Sequence, residues 1–300
     1  MWSRKLLLNL IIFINSISVI TPQSNKLVHR EKRIVNGEDA PQGLLPYMAS
    51  FYRLSQLSNE DGIDRIAPSP YCGGAAVTDT NNFTYIVTAG HCVSNKFPHK
   101  VRIVFDLYTV DDKLTSEVAT VAHEPEAFIL HPAYDDHPKQ PNADIAVVLL
   151  KDPLAINSNR TLQLPGPNYT IQFAENLIVS GWGRLSRSGP QAKNLQVLRG
   201  LSRDATCTWL HGDNFLSDHI CLRDLNGTRH RWTDICRGDS GGPLVDTNSD
   251  ASDNVTATND NVLVGLVSFG TCLGIPASVF TRVKVYTEWI ERVVGDYHVI

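Results

Sequence analysis

Long hydrophobic runs are missing from this sequence. A membrane helix needs roughly 20 consecutive apolar residues, and no stretch here supplies them. There is no CxxC and no HExxH, which leaves zinc and thiol-redox chemistry little to stand on. No segment repeats, which argues against solenoids and propellers. Sustained helical periods are also lacking, which argues against a helical bundle. Basic residues are not in excess. The net charge of -4 conceals a split, because residues 1–33 hold six Lys/Arg against one Glu, leaving 21 Lys/Arg against 30 Asp/Glu in residues 34–300. A body with nine net negative charges has no nucleic-acid footprint.

What is present begins with Leu6–Ile20, a short apolar stretch behind Arg4 and Lys5 and interrupted by Asn9 and Asn15. It reads as a secretory signal peptide spanning 1–20, with its end between Ser18 and Ser24 and a signal anchor as the alternative. Residues 21–33 are polar and basic, have no period, and read as an activation propeptide ending in Arg30-Glu31-Lys32-Arg33. Six cysteines in a secreted chain suggest three disulfides, and the sequence alone permits about fifteen pairings. Asn82, Asn159, Asn168, Asn226 and Asn254 each open an N-x-S/T sequon, which favours an extracellular glycoprotein.

From residue 34 onward, short apolar runs alternate with Gly, Pro, Asn and Asp. Tyr85–Thr88, Asp144–Leu150, Asn176–Ser180, Val262–Phe269 and Ser278–Val283 are expected strands. Many short strands predict an all-β barrel or sandwich. At the C-terminus, Tyr286, Trp289, Ile290 and Val293 mark the buried face of a helix. Leu54–Ser69 and Ser249–Asn261 are polar, aperiodic and expected to be surface insertions, and Lys151–Asn168 a linker between two halves.

The chemistry-bearing boxes are Cys72-Gly73-Gly74, Thr88-Ala89-Gly90-His91-Cys92, Ala143-Asp144-Ile145-Ala146, Ser180–Gly183 (SGWG) and Gly238-Asp239-Ser240-Gly241-Gly242-Pro243. Serine is a poor nucleophile until a base takes its proton. Histidine can do so near neutral pH, and a buried carboxylate can hold the imidazole in the right tautomer and stabilise its cation. His91, Asp144 and Ser240 supply those three types. Together with Ile34-Val35-Asn36-Gly37, the boxes resemble the chymotrypsin-fold (trypsin-like) serine proteases from Ile34 to the terminal helix, and the order His, Asp, Ser fits that fold.

The resemblance implies two antiparallel β-barrels, about 34–152 and 153–300, with a C-terminal α-helix and the active site at their junction. It implies catalysis by His91, Asp144 and Ser240, with Ser268 bonded to the aspartate and an oxyanion hole from the amides of Gly238 and Ser240. It pairs Cys72 with Cys92, Cys207 with Cys221, and Cys236 with Cys272. Cleavage between Arg33 and Ile34 would free an α-amino group to pair with Asp239. Before cleavage Asp239 is expected to stay solvated, because a buried lone charge is costly. Asp234 matches the base of the primary specificity pocket and implies cleavage after Arg or Lys. Ile235, Phe269 and Ser278 depart from the trypsin pattern there, which leaves chymotrypsin- or elastase-like specificity as an alternative. Ser268–Gly270 should pair with the substrate backbone. A non-catalytic homologue that binds partners through the same surface is the rival from another class.

The expected product is therefore a secreted, extracellular serine endopeptidase made as a zymogen. Its expected partners are peptide or protein substrates, an activating protease or self-cleavage, and protein inhibitors. No cofactor, metal, nucleic acid or membrane partner is expected, and the chain is read as a monomer. Phe105–Glu126 shows no clear calcium-ligand pattern, and Asp111, Asp112 and Glu117 are read as solvated loop acids.

Overall fold

Runs rich in Val, Ile, Leu and Thr pack well on a pleated surface, and they supply most of the strands in the computed structural model. It describes residues 37–55, 65–110, 122–136, 142–152, 160–171, 176–203, 217–224, 234–247, 261–270, 272 and 278–298. The signal peptide and propeptide expectations, with Arg33 and Ile34, lie outside these residues. So do Cys207, Asn159, Asn226, Asn254, the loop acids Asp111, Asp112 and Glu117, and nearly all of Ser249–Asn261.

The first half holds β1 (Glu38–Asp39), β2 (Met48–Ser55), β3 (Arg65–Ile66), β4 (Cys72–Thr78), β5 (Thr84–Thr88), β6 (Val101–Val104), β7 (Pro125–Leu130) and β8 (Ala146–Leu150). The second holds β9 (Leu177–Gly181), β10 (Gln196–Leu198), β11 (Leu201–Arg203), β12 (His219–Asp224), β13 (Pro243–Asp246), β14 (Val262–Phe269) and β15 (Ser278–Arg282). They form two curled antiparallel sheets. One runs β3-β2-β4-β5-β8-β7, with β6 also on β2, and the other β1-β10-β9-β13-β14-β15-β12-β11. The fold is all-β and of the chymotrypsin type. Two helices matter here: α1 (Gly90–Val93), which carries His91, and α2 (Thr287–His298).

The expected strands recur within a few residues, with one informative exception. Asp144 and Ile145 precede β8 instead of opening it, because Ala143 adopts φ +46° and turns the chain just before the ladder. The helix stripe also shifts. Tyr286, Trp289 and Ile290 are buried as expected, but Val294 is the fourth buried residue and Val293 lies at the edge. The chain enters α2 through a tighter 3-10 turn over Val283–Tyr286, which offsets the helical phase.

The expected insertion Leu54–Ser69 begins and ends in structure, since Leu54 pairs with Ile66 and Ser55 with Arg65. Within the expected linker, Leu162 is fully buried and bridges Val77 of the first sheet, while the next residue, Gln163, bridges Val262 of the second. The linker therefore fastens the two halves, and one apolar cluster draws Val77 and Val147 together with Val245 and Leu263. Asn82 and Asn168 are both exposed, Asn82 in a turn at φ +68°.

Candidate active site

β5 delivers the chain into α1, and α1 holds His91 against the start of β8. The imidazole Nδ1 lies 2.9 Å from Asp144 Oδ2 and 3.2 Å from Oδ1, and the His91 backbone amide donates to Oδ1 at 2.9 Å. The second sheet completes the grip. Ser268 Oγ donates to Asp144 Oδ2 at 2.5 Å, and Thr281 Oγ1 donates to the Asp144 carbonyl at 2.8 Å. Asp144 is 0% exposed. Burial pushes its carboxyl upward, but the bonds to His91 and Ser268 and the imidazole charge outweigh this and hold it below the usual range. For His91, burial pulls the pKa down, and the bond to Asp144 with its charge raises it above the ordinary value. A carboxylate held ionised beside an imidazole favours its protonated form, which a general base needs once it has taken a proton.

Ser240 is brought to this assembly by close backbone packing. Gly73 N donates to the Ser240 carbonyl at 2.8 Å. The next residue, Gly241, has φ +73°, and a Cβ there would fall 2.3 Å from Thr88 Oγ1 and 3.1 Å from Cys92 Sγ. Only glycine allows the nucleophile segment to lie so close to the histidine segment. Ser240 and Ser268 line one cleft of about 470 Å³, together with Ile235, Phe269 and Gly270. The cleft thus joins the serine to the group that holds Asp144. Gly238 has φ +102°. Among the described residues, neither the Gly238 nor the Ser240 amide donates to a protein acceptor.

Two of the expected disulfides are present, Cys72–Cys92 and Cys236–Cys272. Cys221 is also disulfide-bonded, and its expected partner Cys207 lies outside the described residues. Cys72, His91 and Cys92 cluster as metal ligands would, but both sulfurs are consumed by their disulfide and offer no thiolate.

The two remaining acids differ from expectation. Asp239 is not solvated in this structure. It is 0% exposed, with Oδ1 accepting from Gly183 N at 2.8 Å and Oδ2 from Cys236 N at 2.9 Å. Two amide donors make burial tolerable where a lone charge would not be. Burial still pushes its pKa up to about 7, against the lowering effect of those two bonds, and Asp234 adds a further upward push. Asp234 is also buried, accepts a hydrogen bond from Ser278 Oγ, and does not line the cleft, whereas its neighbour Ile235 does.

A family profile described as Trypsin matches residues 34–290. The chain belongs to the trypsin family. Related proteins include the fibrinolytic enzyme isozyme C of Lumbricus rubellus, 27% identical over 86% of this chain and 98% of that protein. Chymotrypsin-2 of Vespa crabro is 29% identical over 86% of this chain and 99% of its own. Coagulation factor IX of Cavia porcellus is 30% identical over 86% and 80% respectively. Membership makes the chain a serine endopeptidase, a hydrolase acting on peptide or protein substrates.

Two site residues were missed in the sequence. Gly181 and Gly183 form the wall against which the Asp239 carboxylate rests, since a Cβ on either would fall 2.2 Å from one of its oxygens. The signal was in view as the two glycines of SGWG, but it marked family likeness without revealing which side chain needed the space.

Proposed function

We propose that this trypsin-family protein is secreted as a zymogen, is cut after Arg33, and hydrolyses peptide bonds through an acyl-enzyme on Ser240. The carrying observation is the His91–Asp144–Ser268 assembly on the cleft that Ser240 lines. In this reading His91 takes the Ser240 proton as the hydroxyl oxygen attacks the substrate carbonyl. Asp144 orients the ring and stabilises its cation. The amides of Gly238 and Ser240 receive the oxyanion, and each such donor is worth about 2.7–4 kcal/mol in the transition state. His91 then returns the proton to the leaving amine, and water repeats the sequence on the acyl-enzyme.

Cleavage after Arg or Lys is the primary specificity proposed, on the strength of the buried Asp234 carboxylate, whose chain neighbour Ile235 lines the cleft. One observation favours a second reading, cleavage after uncharged side chains. The apolar side chain of Ile235 lines the cleft, and Ser278 already donates to Asp234.

The test is a mixed peptide library with the full chain cut after Arg33 by an immobilised, removable protease, beside a Ser240→Ala control. Serine-dependent cleavage after Arg and Lys supports the first specificity, and cleavage after apolar residues the second. Failure both to cleave any peptide and to label Ser240 with a serine-directed phosphonate defeats the catalytic reading.

A further inference from the structure

The cleft carries two charges that the proposed mechanism does not use. Arg187 and Arg237 line it beside Ser240, and both are exposed. They come from separate segments fixed to one another. Arg187 sits in a hairpin closed by the Arg184–Gln191 bridge, and the Arg184 amide donates to the Arg237 carbonyl at 2.9 Å. Gln191 Nε2 anchors the same hairpin to the Pro70 carbonyl at 2.8 Å. Among the described residues, neither guanidinium has a hydrogen-bonding or ion-pairing partner. Nearby Arg184 differs, since its guanidinium is engaged by the Gly189 carbonyl at 3.2 Å.

The opposing charge is withdrawn. Asp234 is buried outside the cleft lining, with Ile235 in its place, and Ile235 is wedged against the far wall so closely that a Cβ on Gly270 would meet its Cγ1 at 2.9 Å. Among the described residues, the ionisable side chains lining the cleft are therefore both cationic, on a body of 34–300 that holds 30 acidic residues against 21 basic ones. Arginine presents a planar fork that matches a carboxylate.

We infer that Arg187 and Arg237 are specificity residues that select peptide substrates carrying an Asp or Glu side chain beside the scissile bond. This rests on the endopeptidase reading above and adds to it a substrate class. The preference is compatible with either primary specificity, because it concerns the lip of the cleft and not its floor.

The experiment starts from a sequence that the library assay shows to be cut. Matched peptides carry Asp or Glu, or the isosteric Asn or Gln, at the second position before the fixed bond or at either of the two positions after it, while the residue immediately before the bond stays as the library gave it. The readout is the acid-to-amide ratio of kcat/KM. The wild-type ratio is expected to be about fivefold for each engaged arginine at low salt, the upper end for exposed pairs, and to shrink in high salt as the charges are screened. Arg187→Gln and Arg237→Gln should each lower the ratio, and Arg237→Glu should bring it below one. A wild-type ratio of one, or a ratio that none of these substitutions changes, overturns the inference while leaving the endopeptidase reading intact. A protein that cuts no peptide and leaves Ser240 unlabelled fails at the earlier step instead.

Discussion

Replacing Gly183 by alanine tests how tightly Asp239 is held. The new Cβ would fall 2.2 Å from Asp239 Oδ2, 2.4 Å from Cγ and 2.6 Å from Oδ1. A terminal carboxylate on the surface would swing aside at little cost. This one has Gly181 on its other flank, where a Cβ position lies 2.2 Å from Oδ1, and it has no solvent to move into. Displacement breaks the bonds from Gly183 N and Cys236 N. Above about pH 7, where this carboxyl is ionised, hydrogen bonds to charged groups contribute about 1.5–3 kcal/mol each, so their joint loss there costs about 3–6 kcal/mol. Because Asp239 lies between Gly238 and Ser240, the same displacement should misplace both amides and depress kcat. The assay is urea unfolding of the full chain on a Ser240→Ala background, paired with phosphonate labelling rates on the Ser240 background. Gly166→Ala is the control, since a Cβ there meets nothing within 4 Å. It should stay within about 0.5 kcal/mol of its parent. If Gly183→Ala matches that control in both stability and labelling, the wedge argument is wrong.

Two pH predictions follow from the same site. Burial raises the Asp239 pKa from 3.8 to about 7, so between these values the folded state keeps a proton that the unfolded chain has already lost. Its stabilising contribution is complete at low pH and declines as pH climbs from about 4 to about 7, by at most about 1.4 kcal/mol per unit. Urea midpoints at pH 4.5 and 7.5 should therefore differ less in Asp239→Asn, and equal pH dependence in both proteins would sink the argument. Asp144→Asn removes the bond and charge that raise His91 while burial continues to lower it. The acid limb of kcat/KM should move to lower pH and kcat should fall by about 10⁴, as a mispositioned imidazole tautomer implies. An acid limb that stays in place would contradict the assigned causes.

The sequence was most legible where one residue type does one job. β14 spans Val262–Phe269 as read, because alternating burial is not required when a strand is covered on both faces and the whole run can be apolar. The boxes around His91, Asp144 and Ser240 also pointed to residues that the structure gathers about one cleft or its supporting bonds. What escaped was set by neighbours distant in sequence. The burial of Asp239 depends on Gly181 and Gly183, and on two backbone amides whose directions have no one-dimensional signature. Likewise Asp234 and Ile235 are adjacent in the chain, yet only packing decides which of them faces the cleft. The ends of Leu54–Ser69 looked like loop because their composition is polar, although backbone pairing is indifferent to that.

Asp144 receives bonds from His91 on α1, which follows β5 of the first sheet, and from Ser268 and Thr281 on the second. That arrangement makes turnover a gauge of the seam between the halves. The relay has no complete form inside either half, so any slippage along their boundary silences the enzyme before either sheet has lost a strand. Inactivation by heat or denaturant should then mark the parting of the halves, a smaller and earlier event than the melting of the protein.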